Sequence, residues 1–254
     1  MDDRTRDEPV LDVRGLRKHF VLHNVDGRSV EALRGVDLTV MAGEHVALAG
    51  SSGAGKSSLL RCVYRTYLPS AGSVLLRTDA GTVDLTGLPD RELARLRGRE
   101  LGYVSQFLRA EPRRGALDIV ARSGVQRGMD LVEARESAVV ALRRLNLDEA
   151  LWDVYASVLS GGEKQRVNLA AGTISPPRLL LLDEPVSALD PANREAALDL
   201  IADLADHGVA VLAVFHDLEA MQRLATRVVV MAGGRVHDEG PPDVVLRELV
   251  GVAR

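Results

Sequence analysis

The segment Gly50-Ser51-Ser52-Gly53-Ala54-Gly55-Lys56-Ser57 constrains this chain more than any other. It fits G-x-x-x-x-G-K-[ST] and sits between a short apolar run, His45–Ala49, and a helix predicted from Gly55 to about Tyr67. A glycine-rich turn from a buried strand into a helix curls the backbone so that successive N–H groups face one point. The helix N-terminus adds partial positive charge there, so the turn is built for phosphate oxygens. Lys56 supplies the ammonium for the β- and γ-phosphates, and Ser57 a hydroxyl for Mg²⁺. Lysine occurs only at Lys18, Lys56 and Lys164 among 32 basic residues, so a compact ammonium here stands out in an arginine-rich chain.

A strand–turn–helix start of this kind needs acidic residues at the end of a second buried strand. Leu179-Leu180-Leu181-Leu182-Asp183-Glu184 provides them. Four consecutive apolar positions read as a strand covered on both faces, so the carboxylates emerge at its end. Asp183 is expected to hold Mg²⁺ and Glu184 to orient or deprotonate the attacking water. An acidic turn after a strand would alone be unremarkable; paired with the phosphate loop it is a second half-site.

Around these anchors the chain alternates. Val10–Gly50 reads as strands, and Ser73–Arg77 with Thr82–Leu85 as a hairpin. Asp90–Arg97 reads as a short helix and Leu101–Ser105 as a strand. From Phe107 to about Gly172 the pattern is helical, clearest over Leu131–Leu145. Strands and helices then alternate: Leu179–Asp183, Asn193–His207, Val209–Phe215, Leu218–Ala225 and Arg227–Met231. Such alternation implies a mainly parallel sheet covered on both faces.

Thirty-two basic against 36 acidic residues give a net charge of -4, which argues against a nucleic-acid partner. No apolar run approaches the roughly 18 residues of a membrane span, so no membrane insertion of its own and a cytoplasmic location are expected. The polar start, Met1 to Glu8, is unlike a secretory signal, and a single cysteine, Cys62, excludes an internal disulfide.

Leu159-Ser160-Gly161-Gly162-Glu163-Lys164-Gln165-Arg166 is the most specific segment. Ser160 and Glu163 make a capping box that starts a helix. The two glycines weaken that helix by about 1 kcal/mol each, yet leave bare backbone for close approach to a phosphate. With this segment the chain resembles the ABC ATPases over nearly its full length, in the family's motif order. The resemblance implies an α/β P-loop NTPase fold of ABC type: a mainly parallel core sheet, an N-terminal antiparallel β subdomain and an inserted α-helical subdomain. It implies a single ABC ATP-binding domain over 1–254, with its core in residues 8–106 and 173–254 and the helical insertion in 107–172. ATP and Mg²⁺ are the implied ligands, and ATP hydrolysis the implied activity.

By the same resemblance, the nucleotide is contacted by Phe20 (adenine stacking) and by Gly50, Ser51, Ser52, Gly53, Ala54, Gly55, Lys56, Ser57 and Ser58. Ser160, Gly161 and Gly162 reach a γ-phosphate held by a second protomer, and Asp190, in Ser187-Ala188-Leu189-Asp190, lies in a loop crossing that interface. Glu184, His216 and Gln106 are the implied catalytic residues, and Ser57, Gln106 and Asp183 the implied metal ligands. Val186 and Phe215 stand where many relatives have threonine, and Ala171 where arginine is common.

Segments between these motifs are similar to the subunit-L family of bacterial phosphonate C–P lyase systems. They are Phe20-Val21-Leu22-His23, Leu60 to Pro69, Val104 to Arg109, Arg143 to Asn146 with Leu151-Trp152, and Phe215-His216-Asp217. That likeness implies a homodimer, or a heterodimer with a sister ATPase, driving a soluble C–P lyase core complex in phosphonate catabolism. It places the ATPase in the system that makes ribose 1-methylphosphonate 5-triphosphate. The alternative is the ATPase of a membrane transporter of the lipoprotein-release or macrolide-export type, with a permease docking beside Gln106.

Overall fold

Five consecutive buried positions in each of His45–Ala49, Leu179–Asp183 and Ala210–Val214 identify strands covered on both faces. The computed structural model describes residues 8–22, 28–105 and 113–252, and Gln106 falls outside them. In chain order the elements are β1 (Leu11–Leu22), β2 (Arg28–Val40), β3 (His45–Ala49), α1 (Lys56–Val63), β4 (Ala71–Thr78), β5 (Gly81–Asp84) and α2 (Asp90–Arg99). There follow β6 (Leu101–Val104), α3 (Ala116–Gln126), α4 (Leu131–Arg144), α5 (Gly161–Thr173), β7 (Leu179–Asp183) and α6 (Pro191–Asp206). The chain closes with β8 (Ala210–Val214), α7 (Leu218–Leu224), β9 (Arg227–Ala232), β10 (Arg235–Gly240) and α8 (Pro242–Val252).

The strands form two sheets. One has the order β10-β9-β3-β8-β7-β6; only its β10–β9 edge pair is antiparallel. The other, β2-β1-β4-β5, is wholly antiparallel. Alternation along β7 divides the core. Leu179 and Leu181 pack with α1 residues Leu59, Leu60 and Val63 and with Leu11, Leu33 and Leu76 of the antiparallel sheet. Leu180 and Leu182 face the helices, packing with Val167 and Leu169 of α5 and Ala197 and Leu198 of α6. The mainly parallel sheet, the antiparallel N-terminal sheet and the helical layer expected from the sequence are all present.

α1 ends at Val63, earlier than the expected end near Tyr67. Arg65 takes a left-handed conformation (φ 59°), and the Tyr67 N–H turns back to the Arg61 carbonyl. The Arg65 guanidinium holds this exit, donating to the Leu85 carbonyl and to Asp90 at 2.7 Å. β10 and α8 add an edge and a final helix that the alternation had not marked.

The helix that carries the signature, α5, lies tight on β6. A Cβ at Gly172 would stand 2.4 Å from the Val104 Cγ2 methyl, so only hydrogen fits there. Asn168 Nδ2 donates to the Ser105 carbonyl at 2.6 Å, and Arg127, just past α3, donates to the Ala171 and Gly172 carbonyls at 3.0 and 3.2 Å. The Arg127 guanidinium thus ties the turn of α5 at Ala171 and Gly172.

Candidate active site

β3, β7 and β8 are neighbours in the parallel sheet, so their C-terminal ends open side by side, and the loops that follow them carry the chemistry. After β3, Gly55 caps α1 with φ 105°; a Cβ there would stand 2.6 Å from the Ala32 carbonyl, so the loop needs glycine at this turn. Lys56 is buried, its Nζ donating to the Gly50 and Ser51 carbonyls at 2.6 and 2.9 Å. Burial pushes its ammonium below the ordinary lysine value, and the negative charge of Glu184 offsets part of that shift.

Asp183 ends β7 with 3% exposure. A carboxylate so buried is tolerable only when hydrogen-bonded. Its Oδ1 accepts from Ser57 Oγ at 3.0 Å and its Oδ2 from Tyr103 Oη at 2.8 Å; an Arg61 guanidinium nitrogen lies 4.0 Å from Oδ2. The loop suits a triphosphate, and one serine hydroxyl beside one carboxylate suits Mg²⁺, which takes few protein oxygens and completes its shell with water and phosphate.

Glu184 follows with φ 56°, a left-handed conformation that costs a non-glycine residue about 1–3 kcal/mol. Its backbone is held on both sides: its N–H donates to the Val214 carbonyl of β8, and its carbonyl accepts from Gln165 Nε2 at 3.3 Å, Ser187 Oγ at 3.1 Å and the Ser187 N–H at 3.4 Å. Its side chain reaches His216, just past β8, with Oε1 2.7 Å from Nε2. A carboxylate hydrogen-bonded to an imidazole at the sheet's edge can position a water and accept its proton.

The signature opens α5 as the sequence predicted. Ser160 Oγ accepts from the Glu163 N–H at 3.3 Å, and Glu163 Oε2 accepts from the Ser160 N–H at 2.7 Å, a complete capping box. Ser160 and Gly161 are exposed, while Gly162 lies against the Ala188 carbonyl of the following loop. Asp190 caps α6, accepting from the Asn193 N–H at 3.1 Å and Asn193 Nδ2 at 2.6 Å. Phe20 is half-buried on β1, edge-on to Tyr67 with ring centres 5.1 Å apart, and the Lys18 ammonium lies 4.9 Å above it.

Lys56, Ser57, Asp183, Glu184 and His216 are thus joined through hydrogen bonds or charge, with the phosphate loop from Gly50 to Ser58 beside them. Ser160 caps α5, which Gly161 and Gly162 open, and Asp190 caps α6; Gln165 of α5 reaches the Glu184 carbonyl. Two residues tied to this site went unmarked: Tyr103, on Asp183, and Gln165, on the Glu184 carbonyl. Each is a polar side chain placed inside a packed element, which calls for a partner. Between the core and the helical layer lies a cavity of about 290 Å³, lined by Tyr64, Tyr103, Ser105, Arg127 and Asn168.

Known proteins show the same pattern. The family described as "ABC transporter" matches residues 33–187. An ATP-binding protein provisionally named for peptide import in Brucella melitensis biotype 1 is 38% identical, over 94% of this chain and 74% of its own length. The L-cystine import ATP-binding protein of Bacillus subtilis is 34% identical, over 93% and 92%. A dimeric ATP-binding cassette in a post-hydrolysis state, bound to ADP and Pi, superposes with a TM-score of 0.82 at 28% identity, covering 91% of this chain and 98% of that one. The two sequence relatives carry import names; neither is named for phosphonate metabolism, lipoprotein release or macrolide export. Both the phosphate loop and the signature fall inside the matched span, and the chain belongs to the ABC family of ATP-binding cassettes.

Proposed function

We propose that this protein is the ATP-hydrolysing subunit of an ABC transporter and acts as a pair around two shared ATP molecules. The observation that carries this reading is the Glu184–His216 pair, set at adjoining strand ends beside Lys56 and the Ser57–Asp183 contact. Lys56 and the loop amides take the β- and γ-phosphates, and Ser57 with Asp183 holds Mg²⁺, which supplies charge neutralisation at the transferring phosphoryl group. Glu184 aligns the attacking water and takes its proton, while His216 fixes the Glu184 carboxylate and faces the γ-phosphate. Gln106 completes this half-site. Phe20 stacks on adenine, and Ser160, Gly161 and Gly162 of a second protomer close the site, with Asp190 capping the helix behind the interface loop.

The import names of the relatives favour a membrane permease as partner. The cavity lined by Tyr103, Ser105, Arg127 and Asn168 supports a docking groove for it between the sheet and the helices. The second reading couples the same ATPase to a soluble phosphonate C–P lyase complex. It rests on the intervening segments, above all Leu60 to Pro69, where Arg61 donates to Tyr67 Oη and the rings of Tyr67 and Tyr64 meet Phe20 and Tyr103. Purification of the tagged protein from its native cell separates the two. Retention with an inner-membrane permease through detergent supports the transporter; retention with a soluble enzyme core, and no permease, overturns it in favour of the second reading.

A further inference from the structure

Asp183 is held unevenly. Among the described residues, its Oδ1 meets Ser57 Oγ, at 3.0 Å, on the side where the triphosphate and its cation would lie. Its Oδ2 turns inward to the Tyr103 hydroxyl at 2.8 Å, with Arg61 at 4.0 Å behind it. The strand register produces this arrangement. Tyr103 of β6 pairs with Leu181 of the parallel β7, and Asp183 is two residues on, pointing to the same face and within diagonal reach of a long side chain.

The tyrosine is itself fixed. Its ring stacks on Tyr64, with centres 5.0 Å apart and planes 25° from parallel, and the Arg97 guanidinium lies over the Tyr64 ring, 4.5 Å from its centre. Arg97 also donates to the Tyr64 carbonyl at 3.1 Å through Nε. Arg61 is fixed as well, donating to Tyr67 Oη at 2.9 Å. A buried tyrosine hydroxyl needs an acceptor, and a carboxylate needs donors on the oxygen that the metal does not use. Each meets the other's requirement.

We propose that Tyr103 is a positioning residue for the metal-side carboxylate: its hydroxyl anchors Asp183 Oδ2 so that Oδ1 is presented, with Ser57, to the nucleotide-bound cation. This rests on the reading of Asp183 as a metal-side residue, and goes beyond it in naming the group that orients that residue. The phenol is a donor held on a rigid strand and a stacked ring, so it sets the carboxylate plane at no cost in side-chain freedom when nucleotide arrives. Tyr103 also lines the cavity between core and helical layer, so its anchor stands where those two parts meet.

The test is binding of Mn²⁺, as a paramagnetic probe for Mg²⁺, to the full chain in the presence of ATP, alongside ATP binding in excess chelator. Tyr103→Phe keeps the ring and its stack but removes the hydroxyl. It is expected to weaken Mn²⁺ by about 10–100-fold, the usual cost of losing a group that orients a metal ligand, while metal-free ATP binding stays unchanged. Tyr64→Leu removes the stack, keeps the hydroxyl, and is expected to cost less than Tyr103→Phe. Asp183→Asn separates the two layers of the argument. If it leaves Mn²⁺ affinity intact, the metal-side reading of Asp183 itself is wrong. If it weakens Mn²⁺ while Tyr103→Phe lowers only thermal stability, Asp183 stands and the positioning role of Tyr103 is overturned.

Discussion

Lys56 shows how much a single residue here depends on shape as well as charge. Its ammonium fits between two loop carbonyls, and a planar guanidinium cannot take the same place without opening the turn. Lys56→Arg is therefore expected to lose at least about tenfold in ATP affinity, the equivalent of one charge-assisted hydrogen bond, in a fluorescent-nucleotide titration. Unchanged affinity would show that the loop reads charge alone. Cys62, on the buried face of the same helix, is the opposite case: it packs and does no chemistry. Burial pushes its thiol up to about 11. It should resist a thiol reagent at neutral pH in the folded protein and react within the dead time once unfolded. Rapid labelling of the native chain would contradict the packing.

Among elements, α5 combines two roles that mutation can separate. Ser160→Ala removes the cap and should lower stability by only about 1 kcal/mol in denaturant unfolding. If the exposed Ser160 hydroxyl also meets a partner's phosphate, turnover should fall much further than that loss explains. Equal, small effects on both would leave Ser160 as a cap alone. At the other end of the helix, Gly172→Ala forces a methyl against Val104, a conflict in a packed core costing about 1–3 kcal/mol. A clear drop in Tm is expected, and an unchanged Tm would mean that β6 can retreat.

The capping box, the phosphate loop and the all-leucine strand were legible in the sequence because each is a local pattern with a local cause. The end of α1 was not: Arg65 terminates it in a left-handed turn that depends on Leu85 and Asp90, residues remote in sequence. Tyr103 and Gln165 were also hidden, since their roles arise only when β6 meets β7 and when α5 meets the loop after β7. The tie on the Ala171 and Gly172 carbonyls comes from Arg127, which no spacing links to them.

At the scale of the whole molecule, one sheet gathers Lys56, Asp183, Glu184 and His216 at adjoining strand ends, while the exposed Ser160 and Gly161 open α5. Pairing should depend on ATP, because the nucleotide supplies much of what joins a phosphate loop to a facing signature. Sedimentation of Glu184→Gln should show dimers with ATP and monomers without it, the Lys56→Ala chain staying monomeric in both. Dimers independent of nucleotide would count against the shared-site arrangement. The account turns most on Glu184 as the group that activates water. Phosphate release by the purified protein should therefore proceed over many turnovers, and Glu184→Gln should slow it by about 10²–10⁴-fold while still binding ATP. Turnover at the original rate in Glu184→Gln would contradict the account.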